Sequence, residues 1–334
     1  MLIIKHKSYK KKSNKRKSNN RKSNNRKSNK RKSNNRKSNK RKSNKLSKNN
    51  KTYMKKTNGA GDDFINALTD VGNKIVNGTF PRDVAEKIVN TAMFAPNTRE
   101  QLKKAIDWWC SPGRHFELEK YGPINSWNTY LIKDMSGLFK GRENFNDDIS
   151  NWDVSNVENM SEMFKGAVKF NQDLSSWNVS KVKNMSHMFK GAKSFNQPLN
   201  NWDVSNVENM SKMFFSAVRF NQDLSSWDVS NVKDMSLMFD DAISFNQPLN
   251  NWNVSNVVYM NGMFSNAISF NQPLNNWDVS KVKNMIYMFD EAILFNQDLS
   301  SWNVRNVENM RNMFENAASI EKKPWWYNEI YTHR

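Results

Sequence analysis

Residues 174–197 read LSSWNVSKVKNMSHMFKGAKSFNQ, and close copies of this stretch fill the chain from residue 123 to residue 319. The tryptophan of the unit returns every 25 residues without a single insertion, and so do one methionine and two phenylalanines. Strict self-similarity at such a period is typical of stacked repeat architectures. The sequence therefore predicts eight copies of a 25-residue unit across positions 123–319.

The order of apolar residues within one unit predicts its local structure. Trp177 and Val179 alternate with polar residues, which is typical of a short strand with one buried face. The apolar residues from Val182 to Ala192 recur at i, i+3, i+7 and i+10, which predicts a short helix. We therefore expect an α/β repeat solenoid similar to a leucine-rich repeat, with one short parallel strand and one short helix in each coil.

Large apolar side chains at fixed positions of the unit are predicted to form the core. One coil cannot bury them alone, so the stacking of neighbouring coils must join them into a continuous interior. An asparagine of the return loop, recurring from Asn146 to Asn296, is expected to form a buried ladder that satisfies backbone groups. The residues assigned to the core ladder are Trp152, Trp177, Trp202, Trp227, Trp252, Trp277, Trp302, Met160, Met185 and Met210.

Residues 1–58 differ from the rest of the chain in charge. Of the 52 lysines and arginines, 25 precede the first acidic residue, Asp62. A segment so charged and so poor in apolar residues cannot offset the entropy of ordering, so it is predicted to be disordered. Three interpretations stay open: binding of nucleic acid or another anionic surface, nuclear targeting, or a solvated extension without a dedicated partner. The residues assigned to polyanion binding are Lys15, Arg16, Lys17, Arg21, Lys22, Arg26, Lys27, Arg31, Lys32, Arg36, Lys37, Arg41 and Lys42.

The segments that flank the repeats are predicted to close the two ends of the stack. Residues 59–122 contain three stretches of helical apolar spacing, the last from Leu102 to Trp109, and Asn97 with Glu100 resembles a capping box before it. This region is predicted to be an N-terminal cap, or alternatively an independent interaction domain. Residues 320–334 are rich in aromatics and are predicted to be the C-terminal cap, because stacked repeats need atypical ends.

One line of positions varies from unit to unit, and variation is what partner specificity requires. This line is expected to lie on the helix and loop side of the array, where a protein partner would contact it. The alternative is that these positions are simply unconstrained surface. The residues assigned to the partner-binding surface are Glu162, His187, Lys212, Leu237 and Tyr287.

Motifs that carry enzymatic or metal chemistry are weak in this sequence. The four histidines are scattered, and no phosphate-binding loop, dinucleotide fingerprint or paired-cysteine motif occurs. A line of Asp and Asn that includes Asp203 and Asp228 favours a solvated face over a calcium site, because calcium needs about six to eight oxygen ligands. We expect no catalytic residue, no metal and no cofactor.

The unit W-[DN]-V-S-N-V-x-N-M-S-x-M-F-x-x-A-x-x-F-N-Q resembles the BspA-like surface-protein repeat, also known from mycoplasma lipoproteins, giant DNA viruses and protists. The stretches from Leu102 to Trp109 and from Tyr121 to Trp127 look like the segment that opens such arrays. The resemblance implies a leucine-rich-repeat-like solenoid used for adhesion or protein binding. The Lys/Asn-rich usage and the basic tail look like the viral relatives.

Location and function are expectations drawn from the whole chain. The four apolar residues from Met1 to Ile4 are too few for a secretory signal, and no stretch is long enough to span a membrane. An intracellular place, in host cytoplasm or nucleus, or a place in a virion is therefore favoured over secretion. We expect a non-enzymatic, monomeric repeat scaffold that binds an unknown protein and whose tail binds polyanions. The alternative is a nucleic-acid- or virion-associated basic protein whose array is mainly structural.

Overall fold

In a computed structural model of the chain, residues 94–112 and 121–327 are described. The expected basic tail and the first two helical stretches of the lead-in lie outside these residues. Helix α1 spans Arg99–Trp109, and a 3-10 helix spans Ile124–Ser126. Residues 325–327 are helical.

The N-cap of helix α1 lies one residue after Asn97, the N-cap of the predicted capping box. Thr98 is its N-cap, and the Thr98 side chain accepts a hydrogen bond from the backbone N–H of Gln101 at 3.2 Å. The buried residues of the helix are Leu102, Ala105 and Ile106, which lie on the face that the apolar spacing indicated.

The repeats contain turns where the sequence predicted a strand and a helix. Among the described repeat residues, no backbone segment is an α-helix or a multi-residue strand; single parallel bridges join positions 25 residues apart. The bridges run from Asp134 with Asn159 to Asn284 with Asn309. The strand predicted at Trp177–Val179 and the helix predicted over Val182–Ala192 are therefore wrong, and parallel pairing lies in the middle of the unit, at Asn184, instead.

Alternate backbone N–H groups after each bridge donate to the next repeat. Phe189 N–H donates to the carbonyl of Met213 at 2.9 Å, whereas Met188 N–H closes a turn on the carbonyl of Met185 at 3.2 Å. Inter-repeat bonds and local turns thus alternate along the segment. Buried backbone groups need hydrogen-bond partners, but these need not be the partners found in a helix. The bonds between repeats and the local turns therefore replace the i→i−4 bonds of a helix.

Two left-handed residues in every unit exclude the predicted helix. His187 has φ 59° and Gly191 has φ 70°, and each of the eight units has positive φ at both equivalent positions. A left-handed residue costs roughly 1–2 kcal/mol and does not fit inside a right-handed helix. The buried residues between Val182 and Phe195 recur mostly at intervals of three, so a string of three-residue turns satisfies the same apolar pattern.

The core consists of aromatic and methionine side chains stacked in columns. The tryptophans of the eight repeats are 1–3% exposed, and Met160, Met185 and Met210 are fully buried. Phe164 and Phe170 stack within one repeat with ring centroids 4.0 Å apart, and Phe164 stacks on the next repeat's equivalent ring at 5.5 Å. Full burial of one such side chain contributes about 1.5–3 kcal/mol.

Side chains supply the hydrogen bonds between repeats where the backbone does not. The indole N–H of Trp202 donates to the carbonyl of Leu174 at 2.9 Å, and the same bond recurs along the tryptophan column. In the return loop, the backbone N–H of Asn171 donates to Oδ1 of Asn146 at 2.8 Å. This asparagine ladder exists as expected, but its side chains are half-buried or exposed because the return loop lies at the surface.

The two ends of the stack are closed differently. At the first repeat, the guanidinium of Arg99 donates to the carbonyl of Ser136. In later repeats, the equivalent carbonyl accepts a backbone N–H from the preceding repeat. At the last repeat, Trp326 stacks on Trp302 with centroids 6.4 Å apart and donates to the carbonyl of Leu299 at 3.0 Å. Trp326 thus takes the place of a ninth tryptophan.

Candidate protein-binding face

One eight-residue segment of each unit presents the variable side chains, and we call the set of these segments the variable face. In each segment the side chains at the second, third and sixth positions point into the core in most repeats, while the others lie at the surface. The segments are 137–144, 162–169, 187–194, 212–219, 237–244, 262–269, 287–294 and 312–319.

The partner-binding residues proposed from the sequence open five of these segments. Glu162, His187, Lys212 and Leu237 are half-buried, and Tyr287 is 40% exposed. All five have φ between 56° and 59°, a conformation that favours glycine. The backbone therefore places five chemically different side chains at the same left-handed position. The glycines that open the first and sixth segments and Asn312, which opens the eighth, were the signs of this conformation in the sequence.

The first repeats of the variable face carry paired charges. Nζ of Lys140 lies 2.6 Å from Oε2 of Glu162, and Lys165 bonds the other carboxylate oxygen. These two hydrogen bonds lower the pKa of Glu162 to about 2. Burial, followed by the charges of Lys212 and other lysines, lowers the pKa of His187.

A depression of about 450 Å³ lies over the first three repeats and holds a serine, histidine and carboxylate together. Nucleophilic catalysis would require a hydrogen bond between the serine hydroxyl and the histidine. Among the described residues, no such bond joins His187 to Ser186 or Ser161, and Glu162 is held by two lysines instead. The carboxylate of this depression is therefore paired with lysines and not with the histidine.

The middle of the variable face combines an aromatic ring with a lysine. Nζ of Lys190 lies 4.1 Å from the ring centroid of Phe215 in the following repeat, a cation–π geometry. Burial, followed by repulsion from Lys212, lowers the pKa of Lys190. Phe215 is half-buried, whereas its neighbour Phe214 is fully buried in the core.

The last repeats of the variable face carry carboxylates that form no ion pair with another described residue. Burial, followed by the charge of Asp241, raises the pKa of Asp240 to about 6. Burial and the neighbouring Glu291 and Glu315 raise the pKa of Asp290. One oxygen of Asp290 is shielded from solvent and has no hydrogen-bond partner among the described residues.

The line of Asp and Asn residues that was considered as a calcium site accepts hydrogen bonds from neighbouring residues. Oδ1 of Asp203 accepts the backbone N–H of Ser205 at 3.1 Å, and Oδ1 of Asp228 accepts that of Ser230 at 3.0 Å. Hydrogen bonds from Ser230 lower the pKa of Asp228. Within residues 94–112 and 121–327, no three His, Cys, Asp or Glu residues are grouped so as to hold a metal ion.

The thirteen residues assigned to polyanion binding, from Lys15 to Lys42, lie outside the described residues. In the part of the chain that the structure describes, no helix combines the length and the apolar character needed to cross a membrane.

Comparisons with known proteins identify the repeats and nothing more specific. Neither the curated proteins nor the solved structures contain a match to the chain. Two tandem stretches, residues 114–227 and 215–326, match one family of repeats, and together they cover well over half of the chain. On this evidence the chain belongs to the family described as "Mycoplasma protein of unknown function, DUF285".

Proposed function

We propose that the chain is a non-enzymatic repeat scaffold for protein binding, built as a leucine-rich-repeat-like solenoid of the BspA-like type. The observation that carries this proposal is the contrast between a core that repeats and a face that does not. Tryptophan, methionine and phenylalanine recur at fixed positions, while the left-handed position that opens each segment of the variable face carries seven residue types.

The size of the variable face supports a protein partner. The phenyl rings of successive repeats, from Phe139 to Phe314, stack at steps of 5.5–5.7 Å. Eight repeats therefore give the face a contour length of roughly 40 Å, which suits the ~800 Å² that each partner buries in a standard interface. Half-buried side chains on a hydrogen-bonded backbone also lose little entropy on binding.

The test replaces three variable residues of the full chain with asparagine: Glu162→Asn, Leu237→Asn and Tyr287→Asn. Asparagine already occupies the same left-handed position at Asn312, with φ 55°, so the backbone tolerates it. Cross-linking in cell extract followed by mass spectrometry compares the captured proteins. We expect at least one protein that the native chain captures and the variant does not.

The matched control places asparagine on a different surface: Asp203→Asn, Asp228→Asn and Asp278→Asn. Asparagine is native at the equivalent positions 178, 253 and 303, so this variant preserves the fold. The control should capture the same proteins as the native chain. Identical sets of captured proteins for the native chain and for both variants would contradict a binding role for the variable face.

A second candidate function, polyanion binding, rests on the sequence of residues 1–58. The 25 basic residues ahead of Asp62 would release counterions from a polyanion, which makes binding strongly dependent on salt. The test measures the affinity of the full chain for duplex DNA at about 50 mM and about 200 mM salt, with the thirteen assigned residues changed to glutamine in a variant. We expect the native affinity to fall steeply with salt and the variant to lose it. Equal affinity of the native chain and the variant would contradict this function.

A further inference from the structure

We propose that the variable face joins two copies of this chain in antiparallel register, so that the basic half of one copy contacts the acidic half of the other. The basic half is 137–144, 162–169, 187–194 and 212–219; the acidic half is 237–244, 262–269, 287–294 and 312–319. The inference deepens the proposed function and rests on it, because it names a partner for the same face.

Charge is segregated along the variable face. The basic half contains eight Lys or Arg residues and two acidic ones, whereas the acidic half contains five acidic residues and no basic one. Because all these segments share one backbone conformation and pair in register, the two charge blocks lie on one continuous surface. Residue composition elsewhere in the unit repeats, so the segregation belongs to this face.

Within residues 94–112 and 121–327, the carboxylates of the acidic half form no ion pair. The five acidic-half carboxylates are Asp240, Asp241, Asp290, Glu291 and Glu315. On the basic half, Lys169, Lys193 and Arg219 are exposed, and none of them forms an ion pair with another described residue. Both halves therefore present charges that a complementary surface would stabilise.

An apolar stripe accompanies the carboxylates. Ile243, Ile268 and Ile293 occupy the same position in three consecutive repeats and are 38–40% exposed, and Leu294 beside them is 50% exposed. A single exposed isoleucine is ordinary, but a contiguous row marks an interaction surface. Val218 continues the row into the basic half, so apolar residues reach the middle of the face.

A twofold axis through the middle of the face brings unlike charges together. With the axis between the fourth and fifth repeats, the second repeat of one copy faces the seventh repeat of the other. The segment that carries Lys169 then faces the segment that carries Glu291 of the partner subunit, and the segment that carries Arg219 faces the segment that carries Asp241 of the partner subunit. The contact is isologous, so every such pair occurs twice. A parallel arrangement would instead place like charges against each other.

The test uses the full chain with single charge reversals at two exposed positions, Lys169→Glu and Glu291→Lys. Each reversal puts two like-charge contacts into the dimer, and we expect the dissociation constant from sedimentation equilibrium to rise at least about tenfold. An equimolar mixture of the two variants restores both unlike pairs and should regain native affinity. Far-UV circular dichroism checks that each variant is folded.

The basic tail is the main competitor for the acidic half, and the two variants separate the explanations. If Glu291→Lys weakens association and Lys169→Glu does not, a basic segment occupies the acidic half and the face-to-face dimer is wrong. A native chain that stays monomeric at all accessible concentrations overturns the proposal as well. Lys169→Glu keeps Glu162, Leu237 and Tyr287, so capture of other proteins, the test of the proposed function, reads out separately.

Discussion

The core and the variable face obey different rules although they alternate along the same segment. Phe214 lies fully buried against Phe220, with ring centroids 4.0 Å apart, while the next residue, Phe215, lies half-buried under a lysine of the preceding repeat. Core positions keep one residue type because a stacked ring must match the rings above and below. Face positions change freely because hydrogen bonds to the next repeat hold their backbone.

The largest expected effect separates these two neighbours. Phe214→Ala leaves a cavity in a continuous stack and should lower the free energy of unfolding by about 3–5 kcal/mol. Phe215→Ala, the matched control, loses a cation–π contact and partial burial, and should cost about 1 kcal/mol or less. Urea denaturation of both variants measures the difference. Equal losses would contradict the division between core and face.

Glycine at the left-handed position tests how much strain the face tolerates. In Gly262→Ala, the new Cβ would lie 2.6 Å from Cδ2 of Leu237 and the residue has φ 58°, so strain and a clash should together cost at least about 1–2 kcal/mol.

Gly141→Ala separates strain from clash, because Gly141 has φ 71° and no atom lies within 4 Å of a Cβ built there. This variant should cost about 1 kcal/mol and less than Gly262→Ala. Urea midpoints rank the two, and the reverse ranking would show that Leu237 does not lie over Gly262.

The end of the core differs from its middle in hydrogen bonding. The indole N–H of Trp227 donates to the carbonyl of Leu199 at 2.9 Å, whereas that of Trp127 is buried without a partner among the described residues. Trp227→Phe should therefore cost about 1–2 kcal/mol more than Trp127→Phe, since only the former leaves a carbonyl unpaired. Thermal or urea unfolding measures both, and a larger loss for Trp127→Phe would contradict the assignment.

The smallest expected effect concerns how the free energy of unfolding depends on pH. Its sign should differ between Asp240, on the variable face, and Asp228, on the line of Asp and Asn residues. The pKa of Asp240 is raised to about 6, so the folded state binds its proton more tightly than the unfolded state. This carboxylate therefore destabilises the fold fully above pH 6, and the penalty disappears as pH falls towards 4. Asp240→Asn should stabilise the chain at pH 7.5 and have no effect near pH 4.

Asp228→Asn is the matched control for pH. Hydrogen bonds from Ser230 lower the pKa of Asp228, so its ionised form stabilises the folded state above the unfolded pKa, and this contribution is lost as pH falls. The substitution should destabilise the chain slightly at neutral pH and not at low pH. Urea unfolding at both pH values is the measurement, and shifts of the same sign in both variants would contradict the assigned pKa directions.

The repeat period and the core residues could be predicted from the sequence, whereas the backbone conformation within each unit could not. The 25-residue step and the inward direction of Trp177, Met185 and Phe189 follow from spacing, because large apolar residues that recur in every unit are buried together when the units stack. The helix predicted over 182–192 is absent. Its prediction failed because turns of three residues produce nearly the same apolar spacing as a helix. Left-handed residues such as Tyr287 carry no signal of their own, although Gly137 and Gly262 in the same register hinted at them.

The ends of the array were the second gap between prediction and structure. Aromatic residues after position 320 were predicted to cap the stack, but not that Trp326 would take the place of the next core tryptophan. It lies 24 residues after Trp302, one short of the period, so spacing alone did not include it. The charge blocks of the variable face were visible in the sequence, but became one surface only once the segments were seen to stack.

Backbone hydrogen bonds join successive repeats, and through-hydrogen-bond scalar coupling between amide nitrogen and carbonyl carbon measures them directly. The N–H of Phe214 donates to the carbonyl of Met238 at 2.9 Å, so we expect a correlation between these two residues. The same correlation should recur at the equivalent pair 25 residues further on. A correlation from Phe214 to the carbonyl of Met210, as in an α-helix, would contradict hydrogen bonding between repeats.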